Sequence, residues 1–182
     1  MQKNSTYNKI GDIINAASGE LRGIAELAEI LQKNSESFVY YRRGPDGVVR
    51  SEPCSLATIR RQIRFCIDLG LIANEETCNL TPLGQNALDR SRFGLVLQQA
   101  VLGFLEKNDL PWVRIESAIN ELDYPGPFQL YVELSPSVSE DLFRTCLFLL
   151  SQCGEELGQN VVDSLMMKIY LTEEKAKDVR RV

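Results

Sequence analysis

The chain has 182 residues, and its 20 Lys and Arg against 25 Asp and Glu give a formal net charge of −5, with no histidine. The missing imidazole excludes Ser-His-Asp triads, Cys-His nucleophiles, HExxH zinc sites and Cys₂His₂ fingers. No apolar run reaches the ~18 residues of a membrane-spanning helix, and Met1–Tyr7 is too polar for a signal peptide. We therefore expect a cytoplasmic protein that does not contact a membrane.

Cysteine spacing and short motifs argue against catalysis. The five cysteines are separated by 12, 12, 68 and 7 positions, include no CxxC pair and match no zinc pattern. Their odd number argues against a disulfide framework, so we expect free, buried thiols. The phosphate-binding patterns GxxxxGK[ST] and GxGxxG are missing, and the acidic pair Glu75-Glu76 is typical of a solvated loop tip. The sequence predicts a protein that is not an enzyme and that holds no metal and no cofactor.

Two amphipathic helices and a hairpin are predicted first along the chain. Apolar residues at i, i+3, i+4 and i+7 predict a helix over Tyr7–Ala17, and the same spacing predicts a second helix over Arg22–Lys33. The turn residues Gly44–Gly47 separate the strand-like segments Phe38–Arg43 and Val48–Glu52. This arrangement predicts a β-hairpin.

A third helix follows the hairpin. It is predicted over Leu56–Leu69, between an N-capping Ser55 and a terminating Gly70. Two short strands, at residues 71–72 and 80–81, then flank a polar loop. The next helix is predicted from Pro82 to about residue 90, and the pattern leaves open whether it runs on into the apolar stretch after residue 93.

Three helices followed by a short two-stranded wing is the order of a winged helix-turn-helix domain. The chain resembles this family in the segments IRRQIRFCIDLGLI (residues 59–72) and LTPLGQNAL (residues 80–88), where a helix ends in LGLI and LTPLG opens the next helix. The resemblance covers residues 7–90, about half of the chain. It implies that the third helix enters the major groove of DNA.

The second half repeats this order. Residues of the third helix recur 84 positions later and residues of the second helix 92 positions later. The repeat predicts helices over Leu95–Lys107, Val113–Leu122 and Ser139–Cys153, a rigid turn at Tyr124–Phe128, and a second wing from Val161-Val162 and Met166–Leu171. The chain is thus identified as a tandem winged helix-turn-helix protein. Its fold is mainly α with short β-hairpins (α+β), with domains at 1–92 and 93–182. A single larger helical domain is the alternative.

Positive charge is concentrated in one segment of the first half. Residues 1–92 hold 12 basic and 11 acidic side chains, net +1, whereas residues 93–182 hold 8 and 14, net −6. Between residues 42 and 64, six arginines stand against two acids, net +4. Arginines on the third helix and on the hairpin suit base edges and phosphates. The predicted DNA-binding residues are Arg42, Arg43, Arg50, Thr58, Arg60, Arg61, Gln62 and Arg64.

Two observations leave this interpretation open. The arginines of the third helix form either a DNA-contacting face or a solvated face paired with nearby acids. In addition, the loop Asn74–Thr77, where a wing is expected, carries Glu75 and Glu76 and would repel phosphates. If duplex DNA is bound, we expect the arginine-rich hairpin to take over the contacts that a wing normally makes.

The corresponding helix of the second half is apolar on nearly all sides. Such helices are buried, either in a core or against another chain. We predict an interface for a homodimer or a protein partner at Phe143, Leu147, Phe148 and Leu149, with core packing as the alternative. The leading hypothesis is a non-enzymatic DNA-binding protein, either a transcriptional regulator or the DNA-recognition subunit of a larger complex. The alternative is an interaction protein that resembles, in architecture, size and charge, the kleisin-interacting tandem winged-helix subunits of chromosome-organising ATPase complexes.

Overall fold

Helices dominate the structure, a computed structural model that describes residues 6–19, 22–43, 45, 47–122 and 125–153. These residues form eight α-helices and one small two-stranded antiparallel sheet, so the fold is mainly helical and of the α+β type. The chain divides into two compact units, Met1–Ala100 and Val101–Val182. No helix within the described ranges is long and apolar enough to cross a bilayer.

Three helices form the core of the first unit: α1 (Thr6–Ala17), α2 (Ile24–Asn34) and α3 (Leu56–Asp68). The helices α2 and α3 pack against each other, and α1 contacts both. Their periodic apolar residues meet in the core, including Ile13 of α1 and Ile59 of α3, both fully buried. The three predicted helices are therefore confirmed to within two residues at each end.

The predicted hairpin is also confirmed. A short 3₁₀ turn at Glu36–Phe38 leads into β1 (Val39–Arg43), which pairs with β2 (Val49–Pro53). Gly47 in the connecting turn has a φ of +76°, a conformation in which glycine carries no Cβ penalty. We refer to residues 39–53 as the arm.

The arm joins the core at a closed base. The amide of Cys54 donates to the carbonyl of Phe38 over 2.7 Å, and both side chains are fully buried. Beyond this base, all five residues of β2 are exposed. The arm therefore extends from the core into solvent.

After α3, a single antiparallel bridge between Ile72 and Leu80 encloses a loop, and α4 (Pro82–Asn86) follows. The sequence predicted a helix that reaches about Arg90, but α4 ends earlier. The side chain of Asp89 accepts from both the amide and the hydroxyl of Ser91, at 2.9 and 2.6 Å. Such local side-chain bonds compete with a helix, so a turn separates α4 from α5 (Phe93–Lys107).

The second unit contains a helix that the sequence did not predict. Between α6 (Trp112–Glu121) and α8 (Glu140–Cys153), the last two residues of the expected turn at Tyr124–Phe128 begin the helix α7 (Pro127–Leu134). Pro127 stands at the first turn of α7, where its missing N–H costs nothing. Gln129 Oε1 accepts from the Gly126 amide at 3.1 Å, which satisfies another donor at this helix start. The predicted second wing, at residues 161–171, lies outside the described residues.

Candidate nucleic-acid interface

The position of α3 is set by its N-cap. Ser55 Oγ accepts from the amide of Thr58 at 3.2 Å, as the sequence predicted, and the helix begins at Leu56. Ile59 and Ile63 are fully buried on its inner side. The predicted arginines lie away from this apolar stripe, but the structure places them in three different environments.

Arg64 is held by an acid from the following loop. Its Nε and Nη2 donate to the two carboxylate oxygens of Glu75 at 2.7 and 3.2 Å. These hydrogen bonds lower the pKa of Glu75 and raise the pKa of Arg64. Because a lowered carboxyl pKa keeps Glu75 charged throughout the neutral range, the pair is intact there and is lost only as the pH falls through that pKa. Arg64 is thus paired with a nearby acid, which is one of the two alternatives for the arginines of α3, and its contact with DNA stays a prediction.

The other polar residues of α3 differ in accessibility. Arg60 is half-buried, and its Nε is shielded without a hydrogen-bond partner among the described residues. Thr58 is half-buried with its hydroxyl 3.0 Å from that of Ser55, and Gln62 is half-buried with its Oε1 shielded. Arg61 is exposed. Of the predicted α3 residues, Arg61 and Arg64 are exposed, and Arg64 is the one paired with Glu75.

The arm carries the remaining predicted arginines. In the strand register Arg42 stands opposite Arg50, and Arg43 stands opposite Val49. Arg50 lies in the fully exposed strand β2. Three arginines thus share one ten-residue strand pair with a single acid, Glu52. The arm therefore carries a second group of arginines besides the one on α3.

Three of the four residues of the interface predicted on α8 are buried within the chain. Phe143 and Leu149 are fully buried, Leu147 is 3% exposed and Phe148 is half-buried. The Phe143 ring packs against that of Tyr131, with centroids 5.9 Å apart. This burial favours the core-packing alternative for Phe143, Leu147 and Leu149, while an interface at Phe148 stays a prediction.

The exposed apolar side chains of the second unit include two on α7, besides Val113 on α6. Phe128 is 61% exposed and Val132 is 57% exposed. Their i, i+4 spacing places both on one face of α7, whereas Leu130 and Leu134 are buried on the other. The sequence contains this spacing, but it indicates a shared face only if residues 127–134 are known to form a helix, which the sequence analysis did not predict.

The cysteines have the character of core residues. All five are free, and Cys54, Cys66, Cys78 and Cys146 are buried. Burial raises the pKa of Cys146 to about 12, so its thiol stays protonated at neutral pH. The described ranges contain no group of three or more Cys, Asp or Glu side chains suited to a metal ion.

A polar groove of about 580 Å³ runs along α1 on the same unit. Its lining includes Asn8, Asp12 and Asn15 from successive turns of α1, and the Ser35 hydroxyl donates to Asp12. The lining contains none of the arginines of the arm or of α3. The groove is therefore a surface separate from the candidate interface.

Comparison of the chain with protein-family models, curated proteins and solved structures found no match. Its resemblance to winged-helix proteins accordingly remains a prediction from the sequence. The candidate interface is argued from the arm, from α3 and from their charges alone.

Proposed function

We propose that the first unit binds duplex DNA, with the arm as its main contact and Arg61 as the contribution of α3. One observation carries this proposal: a two-stranded ribbon with an exposed second strand holds three arginines, and the chain runs from it into α3, which carries the exposed Arg61. Guanidinium groups bind phosphate oxygens through paired, charge-assisted hydrogen bonds. A β-ribbon is also one of the elements that DNA-binding proteins place in a groove.

Within this proposal, the first unit is a winged-helix domain in which the arm replaces the usual wing. The order of α1, α2, α3 and the Ile72–Leu80 bridge supports it. Glu75 and Glu76 occupy the loop where a phosphate-binding wing is expected, and Glu75 is engaged with Arg64. The arm supplies the positive charge that this loop lacks. We extend the winged-helix proposal to the second half of the chain, residues 93–182, with α5, α6 and α8 as its three helices and α7 inserted between the last two.

The proposal predicts a salt dependence. If Arg42, Arg43, Arg50 and Arg61 each contact one phosphate, the slope of log K against log salt concentration is about −3.6, from ~0.9 per contact. Removing two of the contacts in an Arg50→Ala/Arg61→Ala double variant brings the slope to about −1.8. Gel shifts with a duplex of mixed sequence at several salt concentrations measure both slopes.

The matched control is Arg92→Ala, which removes an exposed arginine of the same unit outside the arm and α3. We expect its slope to equal that of the unaltered protein. Equal slopes for the double variant and the control would refute the assignment of this surface. No duplex affinity in the unaltered protein would refute DNA binding and favour the interaction-protein hypothesis.

A further inference from the structure

The arm exposes apolar side chains as well as Arg50. Tyr41 is 59% exposed, Val49 is 60% exposed and Val48, close to the turn, is 53% exposed. The register places Tyr41 opposite Ser51 and Val49 opposite Arg43. Side chains alternate between the two faces of a strand, so Tyr41 and Val49 are diagonal neighbours on one face, about 7–8 Å apart. We refer to Tyr41 and Val49 as the arm cluster.

The packing of the arm near the helices does not cover Tyr41 and Val49. On the other face of the ribbon, the Tyr40 ring lies 6.0 Å from the Lys9 ammonium group of α1, so that face is the one near the helices. The face of Tyr41 and Val49 is turned away from them. Tyr41 and Val49 therefore form a small exposed apolar pair that is accessible to another molecule.

The charge of the arm indicates the chemistry of that molecule. Residues 39–53 contain three arginines against Asp46 and Glu52, net +1, in a protein of net charge −5. The arm thus combines local positive charge with exposed apolar side chains. A nucleic-acid duplex offers both matching features, since its phosphates are anionic and its stacked bases are apolar. Proteins reach the stacked bases by inserting apolar side chains between base steps from the minor groove.

Resting on the proposed DNA binding, we infer that the arm enters the minor groove, inserts the arm cluster at a base step and bends the duplex. Two strands lie about 4.8 Å apart, and the minor groove is about 6 Å wide. A ribbon with side chains therefore fits only if the groove opens, which accompanies a bend toward the major groove. Pyrimidine–purine steps unstack most readily, so binding favours duplexes with a central TA step.

The experiment separates bending from binding. A 30-base-pair duplex with a central TA step carries a donor and an acceptor fluorophore at its two ends. We expect the unaltered protein to raise energy transfer between the ends. The Tyr41→Ser/Val49→Thr variant keeps the arginines, and we expect it to retain the salt slope but lose at least three-quarters of the gain in energy transfer. The control Val113→Thr alters a valine of α6 that is 71% exposed, and we expect it to bend the duplex fully.

The outcomes discriminate between the two proposals. Full bending by the Tyr41→Ser/Val49→Thr variant would overturn the role of the arm cluster and favour a protein partner for it. Binding without bending, unaffected by the minor-groove ligand netropsin, would place the arm in the major groove and also overturn the inference. In both cases the proposed DNA binding survives. Failure of the unaltered protein to bind the duplex would overturn both.

Discussion

Gly84 is the residue whose replacement tests the packing of α4 most directly. A Cβ on Gly84 would lie 2.0 Å from the carbonyl oxygen of Leu71 and 3.0 Å from its carbonyl carbon. Ordinary contact begins near 3.4 Å, so a Gly84→Ala variant must move α4 or the bridge by more than 1 Å. Both neighbouring atoms belong to the backbone and cannot rotate away.

The free energy of this displacement follows from the bonds that it breaks. The Thr81 amide donates to Leu71 O at 3.1 Å, and the Thr81 hydroxyl donates to Gly70 O at 2.6 Å. Losing both costs about 2 kcal/mol. Overpacking adds about 1–3 kcal/mol, and the better helix propensity of alanine returns about 1 kcal/mol. We expect Gly84→Ala to lower the free energy of unfolding by about 2–4 kcal/mol.

Urea unfolding followed by circular dichroism measures this loss. The matched control is Gly103→Ala in the interior of α5, where an added Cβ meets nothing within 4 Å. Helix propensity predicts that the control is more stable than the unaltered protein by about 0.5–1 kcal/mol. If the free energy of unfolding of Gly84→Ala lies within about 0.5 kcal/mol of that of the unaltered protein, the close approach of α4 to the Ile72–Leu80 bridge is wrong.

Two further predictions concern the ion pair and the core of the second unit. Glu75→Gln releases Arg64 for a phosphate contact, so we expect the salt slope of DNA binding to steepen by about 0.9. Glu76→Gln makes the same change of net charge beside the pair, and equal slopes for the two variants would contradict the role given to Arg64. Phe143→Ala, at a fully buried position, is expected to cost about 3–5 kcal/mol in urea unfolding. Phe128→Ala, at a position 61% exposed, should cost under about 1 kcal/mol, and similar losses for both would contradict the burial of α8.

Local signals made the first half of the chain predictable. Ser55 and Gly70 mark the two ends of α3 by capping chemistry, and the glycines around Pro45 mark the hairpin turn. These signals act over a few residues, and the structure follows them. The same local rules failed at Pro127, because a proline between glycine and aromatic residues indicates a turn and a helix start equally well.

Tertiary contacts were beyond the reach of the sequence. Arg64 and Glu75 are 11 positions apart, and they meet because the chain turns back after α3. Helical periodicity places Arg64 on the outer face but does not indicate which acid the loop brings to it. For α8, the apolar pattern of Phe143 and its neighbours fits a core and an interface equally. The burial of Phe143 and its packing against Tyr131 favour the core.

Because its two ends meet at a closed base, the arm can be replaced by a segment of another length or sequence. Because the amide of Cys54 bonds to the carbonyl of Phe38, the chain leaves and re-enters the core at adjacent points. The helices on either side therefore do not depend on how many residues lie between those points. Doubling such an insertion costs only about 0.6 kcal/mol of closure entropy. Evolution can thus lengthen, shorten or replace the arm, and so alter what the protein recognises, while the helices that make it fold stay the same.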